Sequence, residues 1–600
     1  MKNHGRTLCL LAATALVSLP ACATADDYVP PKVDTTTPTG VNLADGSFIY
    51  TETDLSIGRL SLERFHLGGS RDPDTPFFGP RMTHNFDIYV AQNTTAAVPP
   101  YLASRYKPIV HMGSAASGTY VQDRSRGQPV GSSTDAASGD LAFVGGAYIY
   151  TSQDGTIYTF SSSVPVAGAL GGSGSRRVAN IAYPNGRVLV FSYNASNQLK
   201  LVSDNSGYAI VFDYNGAGTV STACGYDLAA TYVTATSTCT SATLKTSYAY
   251  TSGSLTGATD VLGQTTTYSY AGTSLACIKP PGYSTCKITN SYATGSWQVQ
   301  QQTLADGAVW NYVYFGDYAG SRDPNIYVVE DPTNSTSVTD PASKVSIHSF
   351  TKTSPYTSTD ANGDATNYRF TGGYETESEL YASPPPILAE GAMLAEVDQP
   401  EGNKYLAEYN GPYNSITKQT WVAKPGSGLS DAVLLTGYVS SICIAPATRQ
   451  NCTKPLWKKD ARGNETDFTY TSWGGTVSEM QPAPTSGAAR PLKLYDYVQK
   501  YAYIKNAGGT LVAAASPIWL ANSETDCQTV AGSSTATCDT GAPITVTTYQ
   551  YGANGTADNL LPRGKVVTSG GVSLRTCYGY DARSNKISET SARAGLTVCP

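Results

Sequence analysis

Charge is scarce in this chain of 600 residues: Asp, Glu, Lys and Arg make up 14%, and the net charge is −6. No run of lysine or arginine occurs, which argues against nucleic acid and acidic membrane surfaces as partners. Histidine is scarcer still, and beyond the N-terminal segment only His66, His84, His111 and His348 remain. There is no HExxH, CxxC, P-loop or G-x-S-x-G sequence. Metalloprotease, zinc, nucleotide and serine-hydrolase chemistry therefore each lack their minimum parts, and no cofactor or metal ligand set is expected. "GGSGS" (171–175) reads as flexible linker. "THNFD" sets His84 near Asp87, and a structural turn contact accounts for that pair. Beyond the first twenty residues no apolar run approaches the length of a membrane helix.

The N-terminus reads as an export signal. Lys2 and Arg6 precede the apolar stretch "TLCLLAATALVSL" (7–19), and small residues follow, so residues 1–25 form the expected signal peptide. "LPAC" (19–22) has the form of a bacterial lipobox, with Cys22 as the lipidated residue; "ATA" (23–25) has the form of an ordinary cleavage site. Either places the protein outside the cytoplasm, in the cell envelope as an outer-membrane lipoprotein or released, with membrane contact only through a lipid anchor. The remaining ten cysteines fall in neighbouring couples: Cys224 with Cys239, Cys277 with Cys286, Cys443 with Cys452, Cys527 with Cys538, and Cys577 with Cys599. Local, even grouping in an exported chain points to disulfides that each pin one hairpin or loop.

What the chain has in quantity is glycine, serine, threonine and 42 tyrosines, a mix suited to many short strands joined by turns. One arrangement recurs. Gly186 is followed at plus seven by Tyr193, Gly207 by Tyr214, Gly263 by Tyr270 and Gly307 by Tyr314. Gly363 leads to Phe370, Gly402 to Tyr409 and Gly463 to Tyr470, with a second ring at plus five in six copies: Phe191, Phe212, Tyr268, Tyr312, Tyr368 and Phe468. Asp204, Asp260, Asp360 and Asp460 lie three places before their glycines. Asp opening a tight turn and Gly closing it is the type I preference, in which Gly accepts the left-handed conformation. After the turn, residues alternate faces, so the plus-five and plus-seven rings share one side. The unit is a β-hairpin.

Four stretches follow from this reading. Residues 26–39 are a Pro/Thr-rich tether, 40–150 an N-terminal β region, and 151–600 the hairpin array; within 113–140 the chain is small and polar, a loop or linker. Helix is expected only at "ILAEGAMLAEV" (387–397), directly after Pro384–Pro386. The last cassette, "CYGYDARSNKI" (577–587), leaves no finishing cap. Because a repeat array ends in an atypical unit, this chain reads as the front portion of something longer.

The repeats "YPNGRVLVFSYN", "DNSGYAIVFDYN", "DVLGQTTTYSY", "DARGNETDFTY" and "YGYDARSNKI" resemble those of the Rhs, or YD-repeat, family that includes the teneurins. "GVNLADGSFIYTETDLSIG…LSLERF…FGPRMTHNF" resembles the segment preceding the repeats in bacterial members. The resemblance covers 40–600. It implies an all-β fold of tandem hairpins that spiral into a curved, shell-like sheet with aromatics along its wall, after a small β leader. It also implies a shell that encloses a C-terminal effector or serves surface adhesion. No counterpart of the family's self-cleavage segment, spike domain or toxin domain is present, and the arginine after the repeat glycine survives only as Arg187.

The expectation is a non-enzymatic, exported scaffold or container for cell-surface interaction or contact-dependent competition. Its partners would be the remainder of such a shell, an enclosed effector, or a cell-surface glycan or protein. A surface adhesin whose rings stack on sugars is the alternative. A polysaccharide-degrading enzyme is a third, and would need two carboxylates roughly 5–10 Å apart.

Overall fold

The computed structural model describes residues 28–68, 77–92, 105–106, 108–112, 117–119, 122–123, 140–165, 176–316, 333–351, 354–371, 393–410, 415–439 and 446–599. The signal over 1–25, Cys22 and Cys443 lie outside them. One compact unit begins at Val33. It is all-β; among the described residues only two short 3-10 turns, Pro446–Asn451 and Ala592–Ala594, are helical.

Among the described residues, one long antiparallel sheet carries most of the strands. Each strand pairs with the next in sequence, from Asp140–Val144 onward to Lys586–Glu589. A single excursion breaks this order. Pro491–Lys500 pairs directly with Ile518–Gln528, while Tyr503–Lys505 and Leu511–Ala513 form a hairpin of their own. Near its start the sheet forks, because Arg176–Ala182 also pairs with Ile88–Gln92, which continues to Pro108–Met112. The stretch 113–140, read as a loop, contains the short strands Ser117–Thr119 and Gln122–Asp123.

The helix expected over 387–397 is overturned where the chain is described. Met393–Asp398 is a strand, paired with Ala365–Thr371 on one side and Lys404–Tyr409 on the other. Two neighbours supply its backbone hydrogen bonds, which outweighs the helix preference of its Leu, Ala and Glu.

The hairpins follow from alternation and turn chemistry. In Leu244–Thr251 the side chains of Leu244, Thr246 and Tyr248 are buried while Lys245, Ser247 and Ala249 face solvent. At Asp260–Gly263 the glycine N–H donates to the Asp260 carbonyl at 3.0 Å, and the Asp260 carboxylate accepts from the amides of Leu262 and Gln264. Gly263 has φ +78°, a left-handed conformation that a β-branched residue resists. Most of the repeat hairpins then carry a β-bulge the spacing did not reveal, although Tyr314 pairs without one. The register steps by one residue on entering Tyr193, Tyr214, Tyr270, Tyr409 and Tyr470, leaving an extra residue (Lys200 opposite Tyr193, Ser221 opposite Tyr214) in the following strand. Such bulges bend and twist a sheet.

The bending brings distant turns together. Trp519 N donates to Asn185 O at 2.8 Å, Asn205 Nδ2 to Ser516 Oγ at 2.9 Å, and Lys505 N to Leu228 O at 2.8 Å. Tyr208 OH meets Ser584 Oγ at 2.6 Å. Residues some 300 positions apart thus touch along the edges of successive windings.

The leader forms its own three-stranded sheet, Ile49–Ile57, Leu60–Leu67 and Met82–His84. Along Leu60–Leu67 every second residue is buried. Of those residues, Leu60 and Leu62 join one hydrophobic core with Val41, Phe48, Phe78, Phe212, Leu255, Tyr268 and Tyr312. The segment read as a tether is also packed from its later residues: Thr36 bridges to Asn42, and Thr39 Oγ1 donates to Gln302 Oε1 at 2.5 Å.

Candidate functional site

Where the leader meets the wall, a buried polar network crosses the apolar core. Arg64 is fully buried and grips Asp54 with two hydrogen bonds, Nε to Oδ2 and Nη2 to Oδ1, both 2.9 Å. The same Nη2 donates to Tyr268 OH at 2.9 Å, and Tyr268 OH donates to Glu52 Oε2 at 2.5 Å. Tyr248 OH donates to Asp54 Oδ2 at 2.8 Å. Burial opposes the arginine's charge, but Asp54 and the facing tyrosines more than offset it and hold its pKa above the ordinary value. Removing one partner of such a buried pair leaves an uncompensated charge, at a cost of about 3–5 kcal/mol. The network thus fastens two strands of the leader to two wall strands near residues 248 and 268.

Sequence reasoning passed over these groups, though a signal was present. In "YTETDLSI" Glu52 and Asp54 fall on one face, and register places Glu52 opposite Arg64 in "LSLERFHL". Charges at core positions of two adjoining strands predict a mutual pairing.

Leader glycines complete the contact. A Cβ at Gly58 (φ +55°) would lie within 3 Å of the Tyr208 ring, and one at Gly46 (φ +75°) within 3 Å of the Tyr314 ring. The leader turns therefore seat directly on wall tyrosines. His84 sits among the rings of Phe77, Phe78 and Phe212. Burial lowers its pKa to about 3, with Arg177 adding to the effect, and Asp87 turns instead to Arg177 at 3.2 Å.

The repeat residues divide by position. The glycines at 186, 207, 263, 307, 363, 402 and 463 all have positive φ. Asp204 accepts from Ser206 N and from Arg187 Nε at 2.7 Å, and Arg187 Nη2 also donates to the leader carbonyl of Arg59 at 2.9 Å. Phe212, Tyr268 and Tyr312 lie in the common core, with Tyr193, Tyr214, Tyr270 and Tyr314 packed against it. Tyr368, Phe468 and Tyr470 are only half-buried. The plus-seven tyrosines share one further bond: the hydroxyl reaches back 15 residues to a carbonyl at the start of its own hairpin. Tyr193 donates to Val178 O, Tyr214 to Leu199 O and Tyr314 to Val299 O, each at 2.6 Å. Tyr409 and Tyr470 repeat the clasp to Leu394 and Pro455. The Tyr270 hydroxyl is buried with no partner.

Disulfides join Cys224 to Cys239, Cys277 to Cys286, Cys527 to Cys538 and Cys577 to Cys599. Cys452 is also disulfide-bonded; Cys443, expected as its partner, lies outside the described residues. Among the described residues no three His, Cys, Asp or Glu side chains gather to hold a metal ion, and no helix is long and apolar enough to cross a membrane.

No protein-family model matches the chain, and no curated protein does. Solved structures do. The crystal structure of TcdB2-TccC3 is matched at 12% identity and TM-score 0.27, over 84% of this chain and 26% of that one. The Photorhabdus luminescens Tc holotoxin pore carrying TccC3-D651A is matched at 11% identity and TM-score 0.26, over 92% of this chain and 30% of that one. The chain thus spans under a third of the structures it matches.

Proposed function

We propose that this chain is an exported member of the Rhs, or YD-repeat, family, and that its wound sheet works as a non-enzymatic scaffold or container in bacterial cell-surface interaction or contact-dependent competition. The observation that carries the reading is the edge-to-edge contact of successive windings, with bonds such as Trp519 N to Asn185 O. A flat repeat ribbon would not close these distances; a sheet that returns on itself builds a wall. The partner in this reading is the remainder of a shell or an effector held within it, and Cys22 is the lipid anchor.

A stacking role for the repeat rings has less behind it. Phe212, Tyr268 and Tyr312 are buried against the leader and offer no face to a sugar.

The test is co-culture of a deletion strain with a susceptible competitor, on a surface and in shaken liquid. A fitness loss confined to surface contact, restored by the gene, is expected. Equal fitness in both settings removes the proposal, and loss of attachment to glycan-coated surfaces with unchanged competition would favour an adhesin.

A further inference from the structure

We infer that a partly open cavity between the leader, an early repeat and the late excursion is a binding site for a small aliphatic ammonium compound. The cavity holds about 210 Å³, larger than the 150 Å³ that accommodates benzene in an engineered protein core. It is walled by the leader turn at Gly58 and Arg59, the Ser206–Asp227 repeat, the excursion at Ala502–Tyr503, the strand residues Ile518 and Leu520, the loop at Asp558–Pro562, and Ser584. None of these is adjacent in sequence to another, so the site exists only when the windings have met.

Two buried polar atoms at its lining have no partner, and both can accept a hydrogen bond. Asn559 is 1% exposed; its Nδ2 donates to Tyr501 O at 2.8 Å, which fixes the amide orientation and leaves Oδ1 buried without a donor. Ser206, 8% exposed, has a buried hydroxyl with no partner. Asp558 and Asp227, whose Oδ1 already accepts from Ala229 N at 2.7 Å, add two carboxylates, and burial followed by the charge of Asp558 raises the Asp227 pKa. Asp558 accepts one bond, from Tyr208 OH at 3.1 Å. Lys505 Nζ donates to Ala230 O at 2.7 Å, and its charge partly offsets the rise of the Asp227 pKa. Arg59 is exposed.

Buried acceptors without donors cost free energy until a donor arrives. An ammonium brings three N–H groups and a positive charge, the complement of buried oxygen acceptors beside two carboxylates. On the other side Ile518, Leu520 and Leu560 offer an apolar wall, which suits a short alkyl chain and not a hydrated metal ion.

Isothermal titration of the folded chain with n-butylammonium chloride tests this, with 1-butanol and calcium chloride as competitors at matched ionic strength. Saturable binding of butylammonium is expected, at least tenfold tighter than 1-butanol. Asp558→Asn should weaken it at least tenfold; Asn suits the left-handed backbone there, φ +52°, so the fold should persist. Ala502→Leu, which fills the space without touching a carboxylate, should abolish binding. No heat with butylammonium, equal affinity for butanol, displacement by calcium, or full binding in a folded Asp558→Asn protein would each overturn the assignment. Competition in co-culture is a separate readout, so failure here leaves the scaffold proposal standing.

Discussion

The strands Tyr208–Tyr214 and Glu465–Tyr470 arise from one cassette, with Asp, Gly and two rings at the same spacing, yet they live in different surroundings. Phe212 is fully buried, its ring 5.6 Å from His84 of the leader. Phe468, its counterpart, is half-buried, with Lys458 Nζ 6.0 Å above the ring. Further along, Ile416–Val422 and Ala432–Gly437 bury no residue fully. The early windings have the leader packed against them; the late ones rest on small clusters such as Val397, Tyr405 and Ala407. A repeat therefore makes a hairpin by itself, but its core is supplied by whatever lies against the inner face. This is the usual condition of a repeat unit, which cannot cover its own apolar side.

The comparison breaks most sharply at the polar network. Arg64→Ala should destabilise by about 3–5 kcal/mol in urea unfolding, because Asp54 is left charged and buried. The exposed pair Lys424–Glu401 of the late half should give no measurable change on Lys424→Ala. Comparable losses at the two places would contradict a leader-centred core.

Next comes the ring pair. Phe212→Ala is expected to cost about 3–5 kcal/mol, and Phe468→Ala less than half as much, since less apolar area leaves water there. Unfolding midpoints of both variants measure this, and a reversed order would move the core to the late windings.

Acid should separate the halves as well. Burial holds the folded pKa of His84 at about 3 and of His66 at about 4, below the ordinary 6.5. The unfolded chain binds those protons first, so their contribution is complete above about pH 6.5 and is lost as pH falls toward 3. Hydrogen exchange across that window should show the leader and its facing strands loosening before 416–437. Late strands opening first would refute the linkage.

The smallest effect concerns the clasp. Tyr214→Phe should cost about 0.5–1.5 kcal/mol for the bond to Leu199 O. Tyr270→Phe should be neutral or stabilising, since that hydroxyl is already buried without a partner. A loss at Tyr270 equal to that at Tyr214 would show that this hydroxyl has a partner after all.

Much of the wall was legible because its causes are local. Asp260 and Gly263 close their turn within four residues, and Tyr268 and Tyr270 share a face through strand alternation alone. The preference for Tyr over Phe at plus seven was visible as a pattern, but its reason, a hydroxyl reaching 15 residues back, appeared only in the folded sheet. Over 393–397 the helix expectation failed because helix propensity is weak beside two waiting strand edges.

Residue order by itself determined the turns, the hairpins and the side on which the rings stand, since each depends on contacts within about twenty residues. Tertiary structure alone decided that Arg64 would meet Tyr268, that Asn185 would bond Trp519, and that a cavity would open at Asn559. Those pairings depend on the accumulated twist of many strands, and no local spacing records that sum.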